Sequence, residues 1–168
     1  CTSPTLSLSF ENGCKLSSLQ KESFYGAPLS GTITLGASLT SIPDRAFGRI
    51  TGTYSIVFET GSQLQSIGHS AFAQASTQTD GGLSGNLVLP ASLLTISDSA
   101  FFNQGTFSLS FESGSQLTSI GDGAFQQSGL SGNVVFPSSV TTVGGNIVRG
   151  CTSPTLSLSF ENGCKLSS

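Results

Sequence analysis

The sequence predicts a mainly β solenoid with a parallel sheet along one face and few or no long helices. Three observations predict this fold. A nine-residue segment type recurs along the 168-residue chain, a short alternating apolar stretch precedes each copy, and residues 151–168 repeat residues 1–18 without a change. Repetition at a nearly fixed period is typical of stacked coils, because one coil alone cannot bury its apolar side.

The recurring segment has six copies before the terminal repeat. They are LSSLQKESF, LTSIPDRAF, LQSIGHSAF, LLTISDSAF, LTSIGDGAF and the degenerate VTTVGGNIV. Their leading apolar residues lie 23 to 29 residues apart, a period that indicates a leucine-rich-repeat stack. We therefore predict that residues 1–150 form one solenoid unit of six coils, arranged as three two-coil pairs. Residues 151–168 are predicted to form the first coil of the next identical unit.

A short strand is predicted ahead of each copy. Stretches such as TITL, YSIVF and NLVL alternate with period two, which indicates one inward and one outward face. One aligned inward column alternates large residues with glycines, so we expect large side chains to lean over bare backbone. The large residues are Leu6, Tyr54 and Phe107, and the glycines are Gly31, Gly85 and Gly132. A further column predicts an aromatic spine: Phe24, Phe47, Phe72, Phe101 and Phe125.

Several segments resemble the BspA-like, or Treponema-type, leucine-rich repeats. LVLPASLLTISDSAF, VVFPSSVTTVG and LTSIGDGAF are similar to that family's pattern, LxxIxLPxxLxxIGxxAFxxC. The resemblance covers the chain apart from loops such as residues 75–82. It implies a right-handed, gently curved solenoid of the kind found in surface proteins that adhere or bind. The family's frequent cysteine after AF is mostly missing here, so the resemblance implies no cysteine ladder.

The terminal repeat predicts end-to-end stacking. If residues 151–168 take the structural place of residues 1–18, the sixth coil accepts the first coil of a following unit. Six coils about 4.8 Å apart would advance the axis by roughly 29 Å. Neither end shows a polar cap, which favours a covalent tandem array over separately stacked units or a chain extended for stability. The residues predicted to stack are Leu6, Leu8, Phe10, Val134, Phe136, Val148, Leu156, Leu158 and Phe160.

The composition excludes several classes of partner. Only 9% of the residues are charged, against about 25% in typical domains, and the net charge is -3. The 6 basic residues are scattered, so nucleic acid is not an expected partner. No apolar run approaches the roughly 20 residues that span a bilayer, so no membrane insertion is expected. Low charge and abundant Ser and Thr favour an extracellular or cell-surface location.

Titratable residues are too few to predict catalysis, and no cofactor is implied. One aligned column contains Lys21, Asp44, His69, Asp98 and Asp122. Because neighbouring coils lie about 5 Å apart, we expect surface ion pairs there. The expected pairs are Lys21 with Asp44 and Glu22 with Arg45. An Asp–His–Asp metal or general-base site is the alternative, but it lacks a nucleophile and a third ligand. The glutamates Glu11, Glu59, Glu112 and Glu161 are expected to be solvated.

The outward strand face is the predicted lateral or ligand surface. It is flat and uncharged, which suits packing against another filament or binding a glycan, although an ordinary solvated face is the alternative. Its residues are Ser7, Ser9, Thr32, Thr34, Ser55, Val57, Asn86, Val88, Ser108, Ser110, Asn133 and Val135. Cys14 and its copy Cys164 are candidates for a cross-link between filaments, or else thiols that fill gaps in the core.

These features predict a structural segment of a tandem-repeat extracellular filament or surface stalk, assembled by end-to-end coil stacking. The main partner would then be the protein itself. The alternative is a cell-surface leucine-rich adhesin that binds a host protein or glycan along the strand face, which the family resemblance implies. An enzymatic role is not expected.

Overall fold

The computed structural model describes residues 6–10, 14–76 and 81–165, and it confirms the predicted solenoid. All strand pairs in this part of the chain are parallel, and it contains no helix, hence none that could cross a membrane. The strands are β1 (Gly31–Leu35), β2 (Ser41–Ile42), β3 (Thr53–Phe58), β4 (Ser66–Ile67), β5 (Gly82–Leu83), β6 (Gly85–Leu89), β7 (Thr95–Ile96), β8 (Thr106–Phe111), β9 (Ser119–Ile120), β10 (Gly129–Ser131), β11 (Asn133–Phe136), β12 (Thr142–Val143) and β13 (Ser157–Phe160).

Coils 2 to 6 each contribute a longer strand and, after it, a two-residue strand, and coil 7 contributes the longer strand β13. We number the coils 1 to 7, beginning at residues 6, 29, 53, 83, 106, 130 and 156. The two-residue strands form a five-stranded parallel sheet in the order β12-β9-β7-β4-β2. The longer strands pair in the register expected from the aligned columns: Ile33 lies beside Ile56, and Leu87 beside Leu109. The inward residues of the longer and the two-residue strands form one continuous apolar core.

The predicted packing around the glycine column is wrong. Gly31 pairs with Tyr54 as expected, but it is exposed, has a φ of 79° and would place a Cβ atom in open space. The buried neighbour is instead Leu29, which bridges to Leu6 of coil 1. A left-handed φ turns the chain outward, so the Leu-Ser-Gly sequence places leucine, not bare backbone, in the core. The same arrangement recurs at residues 83–85 and 130–132.

The expected aromatic spine is present and runs through coils 1 to 5. Consecutive rings stack with centroids 5.1 to 5.4 Å apart and planes within 12° of parallel. Its members are Phe24, Phe47, Phe72, Phe101 and Phe125. Val148 follows Phe125 in this column and is half-buried. Stacked rings of this kind add dispersion and quadrupole attraction to the apolar area that they bury.

The glutamates of the odd coils form specific hydrogen bonds and are not simply solvated as expected. The Glu59 carboxylate accepts from the backbone N–H of Ala37 at 3.0 Å. Glu112 and Glu161 accept in the same way from Ala91 and Ser138, each at 2.9 Å. Glu11 lies outside the described residues. Because an ionised acceptor strengthens a hydrogen bond, each carboxylate fastens the turn of the preceding even coil to its own coil.

Candidate functional surfaces

Coil 7 packs on coil 6 as one more turn of the solenoid. Strand β13 pairs with β11, with Val134 beside Leu158 and Phe136 beside Phe160. The last two rings lie 5.2 Å apart between centroids. Coil 6 residues Val134 and Phe136 have no exposed surface. Coil 6 therefore presents a strand edge, Val134 and Phe136, that a coil with the sequence of residues 151–165 covers.

The other predicted stacking residues lie at the two outer edges or near them. On coil 1, Leu6 is 56% exposed, whereas Leu8 and Phe10 are half-buried against the core. On coil 7, Leu158 is 37% exposed, although one side of it is covered by coil 6. Val148 and Leu156 pack partly buried against the same core. The nine residues thus divide into a coil 6–coil 7 junction and an exposed coil 1 edge.

The outward strand face is placed as the period-two pattern predicts. All of its twelve residues are exposed or half-buried, and none is charged. Hydroxyl groups of odd coils bond across to even coils, Ser55 to Thr32 at 3.2 Å and Ser108 to Asn86 at 3.0 Å. The valines Val57, Val88 and Val135 are each at least 40% exposed. This face therefore combines a fixed network of small polar groups with isolated apolar side chains.

The cysteines that the structure describes are free thiols, and each is half-buried. Cys164 Sγ donates to the carbonyl oxygen of Val140 at 3.1 Å, and Cys151 Sγ to that of Phe125 at 3.2 Å. Both thiols pack against the core, whereas Cys1 lies outside the described residues. These contacts favour thiols that join one coil to the preceding one. A cross-link through Cys14 and Cys164 remains a prediction.

The charged columns form the ion pairs that strand spacing predicts. Lys21 Nζ lies 2.9 Å from the Asp44 carboxylate, and Arg45 lies 3.3 Å from Glu22. The Lys21 ammonium, and to a smaller extent the His69 backbone N–H, hold the pKa of Asp44 below its usual range. Within residues 6–10, 14–76 and 81–165, no three His, Cys, Asp or Glu side chains cluster closely enough to hold a metal ion.

A surface groove at the turn edge was not predicted from the sequence. It has a volume of about 470 Å³ and crosses coils 1 to 4. Its two walls are aromatic, Tyr25 and Phe102, and its floor between them is Gly48 and Ala73. These four residues directly follow the phenylalanines of the aromatic spine. The signal that sequence analysis missed is this order of large, small, small and large side chains.

A buried polar cluster under the same edge was also missed. Tyr54 donates its hydroxyl proton to Gln104 Oε1 at 3.0 Å, and the backbone N–H of Leu83 donates to the same oxygen at 2.7 Å. Gln104 Nε2 donates in turn to the carbonyl oxygen of Phe72. Burial raises the pKa of the Tyr54 hydroxyl, so this group acts as a permanent donor. The cluster thus ties coils 3 and 4 together through side chains distant in sequence.

The aligned columns, the aromatic spine and the parallel strand pairs define a leucine-rich-repeat solenoid. The family model of the BspA type leucine rich repeat region matches six copies, over residues 2–81 and 82–166. The chain belongs to this family, which confirms the resemblance found in its repeats.

Comparison with solved structures finds similarity to the pneumococcal vaccine antigen PcpA. The TM-score is 0.65 and the sequence identity is 29%. The match covers 95% of this chain and 35% of the PcpA chain, so this chain spans about a third of the length of that structure. A search of curated proteins finds no match.

Proposed function

We propose that this chain is a structural segment of a tandem-repeat extracellular filament or surface stalk, built by end-to-end stacking of coils. One observation carries the proposal: residues 156–165 repeat the sequence of residues 6–15 and pack on coil 6 through a parallel strand pair. A unit whose sixth coil accepts a coil of the first type can be followed by another identical unit. The role is mechanical and needs no catalytic group.

Contacts at the coil 6–coil 7 junction are of the same kind as those inside the unit. The Glu161 carboxylate bonds to the Ser138 N–H as Glu112 does to Ala91. The Ser157 hydroxyl donates to the Asn133 side chain at 2.9 Å, as Ser108 does to Asn86. In a solenoid, stability is roughly a sum of coil terms and nearest-neighbour terms. Each added unit therefore gains a junction term of the same kind as the terms between internal coils.

Two further observations support a surface location. The chain is a BspA-type repeat protein, and it is similar to a protein described as a pneumococcal vaccine antigen. Its strand face is polar without charged groups, so it is well hydrated and weakly sensitive to ionic strength. Both properties suit a stalk outside the cell.

We expect an extended chain, made of residues 1–150 followed by residues 1–168, to form one longer solenoid. Small-angle X-ray scattering should show that the maximum dimension increases by roughly 29 Å for the added six coils. A control chain joins the two copies by a long flexible Gly-Ser linker, and its dimension should vary with the length of that linker. Two flexibly connected particles in the extended chain itself would contradict end-to-end stacking.

The junction can also be tested by one substitution in two contexts. In the 168-residue chain Leu158 lies on the last coil, whereas in the extended chain a further coil covers its exposed side. Leu158→Asn should therefore destabilise the extended chain by about 1–2 kcal/mol more than the 168-residue chain. The matched control is Leu87→Asn, since Leu87 is 1% exposed and already lies between two coils. Its effect should be equal in both chains. Equal effects of Leu158→Asn would also count against stacking.

An adhesin that binds along the strand face is the second candidate. The similarity to a vaccine antigen and the three exposed valines favour it. Replacing Val57 and Val88 with lysine should then reduce binding of the fluorescently labelled chain to epithelial cells by at least about tenfold. Gln116→Lys, a change at another exposed position, is the control and should leave binding unchanged. Binding that withstands both valine substitutions would exclude this face as the adhesive surface.

A further inference from the structure

We propose that the groove at the turn edge binds a carboxylate-bearing oligosaccharide. This site is separate from the strand face, and it is independent of whether units stack end to end. Two features of the groove carry this proposal, its shape and the charges of the side chains that line it.

The shape of the groove follows from four neighbouring coils in register. Backbone hydrogen bonds of 2.8 to 2.9 Å connect Gly26 to Gly48, Arg49 to Ala73 and Gln74 to Phe102. With about 4.8 Å between coils, the aromatic walls of coils 1 and 4 lie roughly 14 Å apart. This span accommodates a disaccharide. Aromatic rings at either end suit the apolar C–H faces of sugar rings.

The position of Tyr25 is fixed by the glycine beneath it. A Cβ atom at Gly48 would lie 3.0 Å from Cδ2 of the Tyr25 ring, so a side chain there would push the ring away. The Arg49 guanidinium carbon lies 5.7 Å from the centre of the same ring. Cation–π attraction at this distance holds both groups in place at the groove wall. The wall is therefore formed by groups that constrain one another.

Groups that attract an anion line the groove. Arg45, Arg49 and His69 line it, and none of the lining residues is acidic. Arg45 shares its charge with Glu22, but Arg49 forms no ion pair with any carboxylate of the described residues. A guanidinium binds a carboxylate through two parallel hydrogen bonds, which provides both affinity and orientation. The carboxylate of the ligand would therefore lie near Arg49.

Uncharged polar side chains complete the lining of the groove. Gln74 contributes a side-chain amide that is 5% exposed and lies near the buried Tyr54 hydroxyl. Ser70 and Ser99 add hydroxyl groups to the lining. Aromatic walls with several hydroxyl and amide groups suit a sugar better than an acidic peptide.

The test measures binding of defined probes by isothermal titration calorimetry at low ionic strength. The acidic probes are 3′-sialyllactose and a hyaluronan tetrasaccharide, which separate sialic acid from hexuronic acid as the source of the carboxylate. Lactose is the neutral control and tetraglutamate the peptide control. At least one acidic sugar should bind about tenfold or more tightly than lactose, and its affinity should fall as salt is added. Binding of neither acidic sugar, equal binding of lactose, or binding of tetraglutamate alone would overturn the proposal.

Substitutions then place the ligand in the groove. Arg49→Met should weaken binding of the acidic sugar by at least about tenfold, and Arg45→Met should also weaken it. Arg149→Met is the matched control, because Arg149 is an exposed arginine of coil 6 that does not line the groove. It should leave the affinity unchanged. Ala73→Leu places a larger side chain on the floor of the groove and should abolish binding. Thermal unfolding of each variant checks that the fold is retained. Affinity that survives both Arg49→Met and Ala73→Leu would place the sugar elsewhere and reject the site.

Discussion

Replacing Phe72 with alanine is expected to destabilise the solenoid by about 4 kcal/mol. Phe72 has no exposed surface and lies between the rings of Phe47 and Phe101, each 5.2 Å away between centroids. The substitution removes two stacked contacts and leaves a cavity in the middle of the spine. A stack of coils cannot close such a cavity without shifting the strands on both sides. Equilibrium unfolding in urea, followed by circular dichroism, measures the loss.

Phe24→Ala is the matched control for this prediction. Phe24 is the first ring of the spine, is half-buried and stacks on a single neighbour, Phe47, at 5.1 Å. Its removal should cost less than half as much, because less area and one contact are lost. Equal losses for the two variants would show that the spine does not stabilise the fold through its stacked contacts.

The fold could be predicted because the same sequence segment recurs along the chain. Any one copy of the segment is weak evidence for a strand and a turn, but six copies at similar spacing select one periodic arrangement. The degenerate VTTVGGNIV illustrates this, since its place is fixed by the copies before it. The register between Ile33 and Ile56 follows directly from that alignment. The same strand spacing predicted the Lys21–Asp44 ion pair.

The backbone conformation of Gly31 could not be predicted from period two alone. Alternation assumes a regular strand, in which Gly31, two residues before the inward-facing Ile33, would also face the core. A left-handed glycine breaks that rule, and it brings Leu29 into the core instead. The sequence does contain the signal, because Leu-Ser-Gly occurs once in each even coil of the unit. Whether the leucine or the glycine of this segment is buried depends on the sign of φ at the glycine, and an alignment of the repeats does not give that sign.

Features formed by non-equivalent positions were missed for a different reason. Tyr54 and Gln104 are 50 residues apart and occupy different positions in their coils, so no column connects them. The groove likewise needs residues from coils 1 to 4, whose differing side chains interrupt the repeat. Periodicity identifies the residues that occupy equivalent positions in the coils. The candidate binding site depends on what distinguishes them, and for that the three-dimensional arrangement is required.

Gln104→Met is expected to destabilise the protein by about 3 kcal/mol, although methionine has nearly the same volume. The change removes the acceptor of two buried donors, the Tyr54 hydroxyl and the Leu83 N–H. It also removes the donor to the Phe72 carbonyl oxygen. Each buried group left without a partner costs about 1–3 kcal/mol, and water has little access to a side chain that is 4% exposed. Urea unfolding measures this loss on the same scale as for Phe72→Ala.

A double-mutant cycle with Tyr54→Phe separates this effect from general disruption of the core. Tyr54→Phe alone should cost about 1 kcal/mol, because Gln104 Oε1 keeps the Leu83 N–H as donor. The double variant should lose less than the sum of the two single losses, since no tyrosine hydroxyl is then left unpaired. Gln116→Met, at an exposed position, should change stability by no more than about 0.5 kcal/mol. Strictly additive losses would show that the Tyr54–Gln104 hydrogen bond does not couple coils 3 and 4.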